Sequence, residues 1–188
     1  MVVLASGSPR RAQILTALGV AFRVSVPNIP ELLLPGEGGA AAAERLARAK
    51  AAAAGQNERL PVIAADTVVL CDARVLGKPA SVTEAAEMLR LLAGRTHEVV
   101  TGVCVRARGE VRSGIERTAV TMAAMTEDEI AWYAATGEPF DKAGGYHVDG
   151  RGSLFIESVE GSPSNVAGLP VRLLLRLVRE AGLSLGLP

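Results

Sequence analysis

Val2-Val3-Leu4-Ala5-Ser6-Gly7-Ser8-Pro9-Arg10-Arg11 opens the chain, and its reading decides the fold. The apolar run Val2–Ala5 reads as a buried strand. Gln13, Ile14, Leu15, Ala17 and Leu18 follow at helical spacing, and Gly19 closes the segment. Ser8 is then the N-cap and Pro9 the first helical residue, where a missing N–H costs nothing. Such a turn leaves backbone N–H groups and the positive end of a helix dipole at the carboxyl edge of a strand. Arg10 and Arg11 stand in the first helical turn, where a cation opposes that dipole, and an anion would repair the conflict. The turn reads as an anion site that suits phosphate; a plain strand-to-helix turn with solvated arginines is the alternative.

Working outward, 188 residues make one ordinary domain, or one domain with two lobes. Twenty basic residues balance twenty acidic ones, so no global basic field argues for nucleic acid. Aromatic residues at 3% are too few for a base-stacking platform. No apolar run approaches the roughly 20 residues that span a bilayer. No basic segment precedes an apolar stretch and a cleavage site, so a cytoplasmic protein is expected. Cys71 and Cys104 lie far apart in apolar runs and read as buried free thiols. His97 and His147 show no zinc-ligand spacing. Any metal should be a hard cation held by carboxylates and a substrate's phosphates.

The remaining pattern alternates strands with helices. Phe22–Val26 reads as a strand, Ala40–Ala54 as an alanine-rich helix stopped by Gly55, and Val62–Cys71 as a nearly continuous apolar strand. The alanine-dense helix suggests close packing against something flat, such as a sheet. Asp72-Ala73-Arg74 turns the chain into Val75-Leu76. Ser81-Val82-Thr83-Glu84 and Thr126-Glu127-Asp128-Glu129 are capping-box patterns, opening helices that stop near Gly94 and Gly137. Glu98–Arg106 and Glu110–Thr121 form a hairpin around Arg108-Gly109. Glu138 to Tyr146 reads as irregular, Ser153–Val159 as a strand, Gly161–Asn165 as a loop, and Val171–Ala181 as the last helix. The expected fold is α/β, with a mixed twisted sheet flanked by helices.

Asp66 is the sharpest single residue, because an unpaired carboxylate inside a strand of valine, isoleucine and alanine costs several kcal/mol. It is either a structural acid bound by a neighbouring loop, or a general base or metal ligand held by a rigid strand. Lys50 and Lys78 are ordinary surface lysines or anion ligands; Gly77 and Pro79 pin the backbone at Lys78. Glu31, in a proline-bracketed loop, is a solvated acid or a partner of Asp66 around a divalent cation. Asp141-Lys142 reads as a salt-bridged pair, and Trp132 and Tyr133 as packing.

The succession Ser6–Arg11, Ala65–Val69, Gly77-Lys78-Pro79, Glu138 to Tyr146 and Gly168-Leu169-Pro170 resembles the Maf family, named for septum-formation inhibition. The resemblance runs from Val2 to about Arg176. It implies a fold similar to that of inosine triphosphate pyrophosphatases, with two lobes around a central cleft. It also implies a nucleoside triphosphate pyrophosphatase in which water attacks the α-phosphorus. The family's proton acceptor matches Asp66. The groups holding the triphosphate match Ser8, Arg11, Lys50 and Lys78, and an acid near the metal matches Glu31, with Asp66 a further metal ligand. The implied metal is magnesium or manganese, and the implied assembly is a homodimer.

Three family positions that distinguish the nucleobase match Arg10, Thr67 and Asp149. Members acting on dTTP and UTP carry arginine, threonine and glutamine there, so Asp149 departs from that subgroup; an ionised aspartate only accepts hydrogen bonds. Pro30 also replaces the first of two acids usual in the loop. The expectation is one cleft in which the opening turn faces Asp66, Lys78 and the Lys50 helix, with Arg11 serving phosphate and Arg10 the base. Two competing readings are a nucleotide-binding regulator of cell division with little catalysis and a sugar-nucleotide transferase. The latter's longer glycine-rich loop is absent.

Overall fold

A computed structural model describes residues 1–55, 59–72 and 74–186; Ala73, in the expected turn, lies outside them. The strands are β1 (Val2–Leu4), β2 (Phe22–Val24), β3 (Val62–Cys71), β4 (Arg74–Leu76), β5 (Thr96–Ala107), β6 (Glu110–Met122) and β7 (Ile156–Glu160). The helices are α1 (Pro9–Ala17), α2 (Gly39–Ala54), α3 (Val82–Leu92), α4 (Glu127–Ala135), the single turn α5 (Pro163–Val166) and α6 (Val171–Glu180). The sheet order is β2-β1-β3-β5-β6-β7, with β4 added to β3. It is mixed: β1 runs parallel to β2 and β3, whereas β4 on β3 and β7 on β6 are antiparallel. The chain divides into two compact units, one of residues 1–67, 101–116 and 164–188, the other of 68–100 and 117–163.

In the first unit the period of two along the strands sorts the core into two layers. Val2, Leu4, Ile63 and Ala65 face one way, into a cluster with Leu15 of α1 and Leu173, Leu174, Leu177 and Val178 of α6. Val3, Ala5, Val62 and Ala64 face the other, against Ala47 and Ala51 of α2. Helices on both faces explain why β3 is nearly all apolar rather than alternating. The expected close packing of the alanine helix is seen at Gly102 in β5. A Cβ there would fall 2.3 Å from the Ala43 carbonyl oxygen and 2.6 Å from the Glu44 nitrogen.

In the second unit α3 buries Ala85, Met88, Leu89 and Leu92 and packs against α4, which buries Ile130, Tyr133 and Ala134. Thr126 and Glu129 form the full capping box expected of them. The β5–β6 turn is Arg108-Gly109, both at positive φ, the geometry that suits a two-residue hairpin. Several boundaries differ from the sequence reading. β2 ends at Val24, two residues early. Residues 151–155 form a 3-10 turn, and the strand begins only at Ile156. The cause is local: the Ser153 backbone N–H and hydroxyl both donate to the Gly150 carbonyl, holding the chain in a turn. Residues 163–166 make a helical turn inside the expected loop. Cys71 and Cys104 are buried free thiols. Tyr133 is fully buried, whereas Trp132 lies at the surface. Among the described residues no helix is long and apolar enough to cross a membrane.

Candidate active site

Alternation along β3 also places Asp66 and Thr67 on opposite faces of the sheet. Asp66 continues the row Val62, Ala64 that faces α2, and Thr67 continues Ile63, Ala65, on the side of α1 and α6. Two polar clusters result, both within the first unit.

On the α2 side, Lys50 lies seven residues after Ala43 and three after Ala47, on the same buried helical stripe. Its ammonium therefore points at the sheet, 2.5 Å from Asp66 Oδ1 and 2.8 Å from Glu31 Oε1. The Lys50 and Asp66 side chains are each only 9% exposed, against 49% for Glu31. Burial lifts the Asp66 carboxyl above the ordinary carboxylate range; Lys50 and Arg11 pull it back, and Glu31 pushes it further up. A carboxylate so placed is a better base than an exposed one, because its proton affinity is closer to neutrality. Among the described residues no three His, Cys, Asp or Glu side chains are arranged to hold a metal. Glu31 and Asp66 nevertheless bring two hard oxygen donors from separate segments onto one cation. That suits magnesium or manganese, which need one or two carboxylates and take their other ligands from water and phosphate.

On the other side, Arg11 turns inward from α1 and is buried. Its Nε donates to the Gly168 carbonyl at 2.8 Å, Nη1 to Ser6 Oγ at 3.0 Å and Nη2 to Thr67 Oγ1 at 3.0 Å. Burial works against its charge, while Asp66 and Glu31 support it. Three of five guanidinium N–H bonds are thus spent inside the protein, so Arg11 braces the opening turn against β3 whatever else it binds. Ser6 Oγ accepts from Arg11 and from the Ser8 backbone N–H at 3.2 Å, which leaves its own proton for an anion. Ser8 stands at the N-cap of α1 but its side chain makes no capping bond. Arg10 is half-buried in the same turn.

Lys78 and Asp149 belong to the second unit. Both are exposed, Lys78 between Gly77 and Pro79, Asp149 in the loop 147–152. That loop is clamped by Glu138. Its Oε2 accepts from the Tyr133 hydroxyl at 2.8 Å and the Gly152 N–H at 3.0 Å, and its Oε1 from the Arg151 N–H at 3.0 Å. Burial alone would raise the Glu138 carboxyl, but these donors hold it below its ordinary value. The Tyr133 hydroxyl in turn accepts the His147 N–H at 2.9 Å. Asp141 and Lys142 form the expected ion pair.

The chain matches the family described as Maf-like protein over residues 1–181. It belongs to the Maf family. Relatives named dTTP/UTP pyrophosphatase agree with it over nearly the whole length. That of Anaeromyxobacter sp. is 48% identical, covering 96% of this chain and 89% of its own. That of Deinococcus radiodurans is 48% identical, covering 97% and 94%. That of Myxococcus xanthus is 46% identical, covering 98% and 94%. Among solved structures, the Staphylococcus aureus Ham1 protein matches with a TM-score of 0.49 at 16% identity over 96% of each chain.

Sequence reasoning on this Maf-family chain singled out neither Thr101 nor Asn165 of the cluster around Arg11. Thr101 in β5 is fully buried, its hydroxyl 2.9 Å from that of Thr67 and 3.2 Å from the Asn165 carbonyl. The Asn165 carbonyl also accepts the Gly168 N–H at 2.8 Å, and Gly168 takes a φ of 96° that favours glycine. Gly168 was visible as a motif, but only as one. A threonine in an apolar strand is too common to single out, and Asn165 acts through its backbone, which no residue type advertises. Glu138 in the second unit was likewise seen only as part of a motif.

Proposed function

We propose that this Maf-family chain is a nucleoside triphosphate pyrophosphatase acting on dTTP and UTP, yielding the monophosphate and pyrophosphate. The buried Asp66–Lys50 pair at the carboxylate-bearing centre of β3 carries this reading. With Lys50 bound to Oδ1, the Asp66 carboxylate keeps a second oxygen to take a proton from water as that water attacks the α-phosphorus. The bond from the α-phosphorus to its bridging oxygen breaks, and pyrophosphate leaves with the electron pair. The triphosphate's charge calls for proton donors and cations, and the Ser6 proton, the start of α1, Ser8, Arg11, Lys50 and Lys78 are assigned that role. Arg10, Thr67 and Asp149 are the base-reading set. A magnesium or manganese ion, held by Glu31 and Asp66, supplies charge neutralisation on the phosphates when bound. The names borne by relatives at 46–48% identity support the choice of dTTP and UTP. The setting is the cytoplasmic nucleotide pool, and the assembly a homodimer.

A pyrophosphate-release screen over common and modified nucleoside triphosphates, with magnesium or manganese, tests the reading. UTP and dTTP should lead, and Asp66→Asn should lose turnover far more than nucleotide binding. Near-normal turnover in Asp66→Asn would remove Asp66 from the proton-acceptor role. Tight triphosphate binding without pyrophosphate release under any divalent metal would replace the enzyme with a nucleotide-binding regulator.

A further inference from the structure

The hydrogen-bond polarity of Thr67 can be counted atom by atom. A threonine hydroxyl has one proton and two lone pairs. The Asn165 carbonyl, 3.2 Å from Thr101 Oγ1, can only accept, so the Thr101 proton is committed there. The Thr67 and Thr101 oxygens are 2.9 Å apart, and with the Thr101 proton spent, Thr67 must be the donor between them. Arg11 Nη2, which can only donate, fills one lone pair of Thr67 from 3.0 Å. The chain therefore runs one way, from Arg11 to Thr67 to Thr101 to the Asn165 carbonyl, and Thr67 retains a single lone pair. Thr101 and Asn165 are fully buried, which keeps bulk water from reversing it. Reversal would also strip a buried carbonyl of one of its two donors, the other being the Gly168 N–H.

We propose that Thr101 is a positioning residue that fixes Thr67 as a pure hydrogen-bond acceptor, so that the site selects nucleobases presenting an imino N–H. Uracil and thymine offer that proton at N3; cytosine presents a lone pair at N3, which an acceptor repels. The inference rests on the reading of Thr67 as a base-facing position. Its chemistry belongs to this chain's own hydroxyl network and gives Thr101 a role in selectivity without contact to the nucleotide.

Thr101→Val keeps the shape of the side chain and removes the hydroxyl, which frees the Thr67 proton to turn toward a ligand. Thr101→Ser keeps the hydroxyl, and Thr101→Ala replaces Thr101→Val if that variant fails to fold. The UTP-to-CTP ratio is read twice, as kcat/KM for pyrophosphate release and as relative affinity for the α,β-imido analogues. In Thr101→Val the ratio should fall about tenfold, the factor carried by one hydrogen bond, and Thr101→Ser should restore it. An unchanged ratio in Thr101→Val, with Thr67→Val altering it, overturns the role of Thr101 while leaving Thr67 at the base. An unchanged ratio in both overturns the proposal together with the base-facing reading of Thr67. If the wild type prefers the UTP analogue but releases no pyrophosphate, the hydrolytic reading fails, and the affinity ratios still decide the proposal.

Discussion

Replacing Lys50 by methionine isolates the electrostatics of the site. Methionine keeps the length and apolar stem of the side chain but removes the ammonium that lies 2.5 Å from Asp66 and 2.8 Å from Glu31. Glu31 is half-exposed, so its loss of a partner costs at most about 1 kcal/mol. Asp66 is different: a buried carboxylate stripped of its partner costs about 3–5 kcal/mol while it stays ionised. Protonation relieves that cost, so the penalty depends on pH. Burial already raises the Asp66 carboxyl, so the unfolded chain ionises it first. Its contribution to stability is whole below the unfolded pKa of about 3.9 and is lost as pH rises through the folded value. Without Lys50 the folded value climbs further, and more is lost.

Urea unfolding from pH 5 to pH 8 should therefore show Lys50→Met losing about 3 kcal/mol at the alkaline end and about 1 kcal/mol at the acid end. The double variant Lys50→Met/Asp66→Asn removes both charges of the buried pair and should recover about 2 kcal/mol of the alkaline deficit, although it carries one more substitution. A penalty that does not change with pH, or a double variant no more stable than Lys50→Met, would refute the account of Asp66 as a buried charge sustained by Lys50.

Gly102→Ala sets a methyl 2.3 Å from the Ala43 carbonyl oxygen and should push α2 from the sheet, costing about 1–3 kcal/mol; an unchanged melting temperature would contradict the contact. His97 is buried against the Tyr146 hydroxyl at 2.8 Å, and burial pushes its pKa down to about 4. The stability of this neutral ring is present above the ordinary value of about 6.5 and lost as pH falls toward 4. That loss amounts to about 3 kcal/mol, and His97→Gln should flatten the decline in denaturant titrations. Glu138→Gln turns an amide NH2 toward one of the donors that its carboxylate now accepts, Tyr133, Arg151 or Gly152. It should loosen residues 147–152 and speed tryptic cleavage after Arg151 in the folded protein; an unaltered cleavage rate would deny the clamp.

Reading the chain was most reliable where the signal is local. The capping box at Thr126, the turn at Arg108-Gly109 and the nearly continuous apolar run of β3 each state a backbone preference in a few adjacent residues, and each appears as expected. The reading failed at 153–155 because Leu154, Phe155 and Ile156 look like strand. Two hydrogen bonds from Ser153 to Gly150 decide otherwise. Lys50 is an intermediate case. Its place on the stripe of Ala43 and Ala47 can be computed from helical periodicity, but that the stripe faces the sheet is a tertiary fact.

The opening stretch Val2–Arg11 by itself determined a strand, a turn and a helix start suited to an anion, because apolar runs, caps and prolines act on their own backbone. It could not divide the labour of its side chains. Only the tertiary structure turned Arg11 inward onto Ser6, Thr67 and Gly168, residues up to 157 positions away in sequence. Likewise only the pleat of β3, with α2 on one face and α1 and α6 on the other, sent adjacent Asp66 and Thr67 into separate polar clusters. The physical reason is range. Propensity acts across a turn or two, whereas the direction of a buried hydrogen bond is settled by whichever distant donors and acceptors the packing brings within about 3 Å.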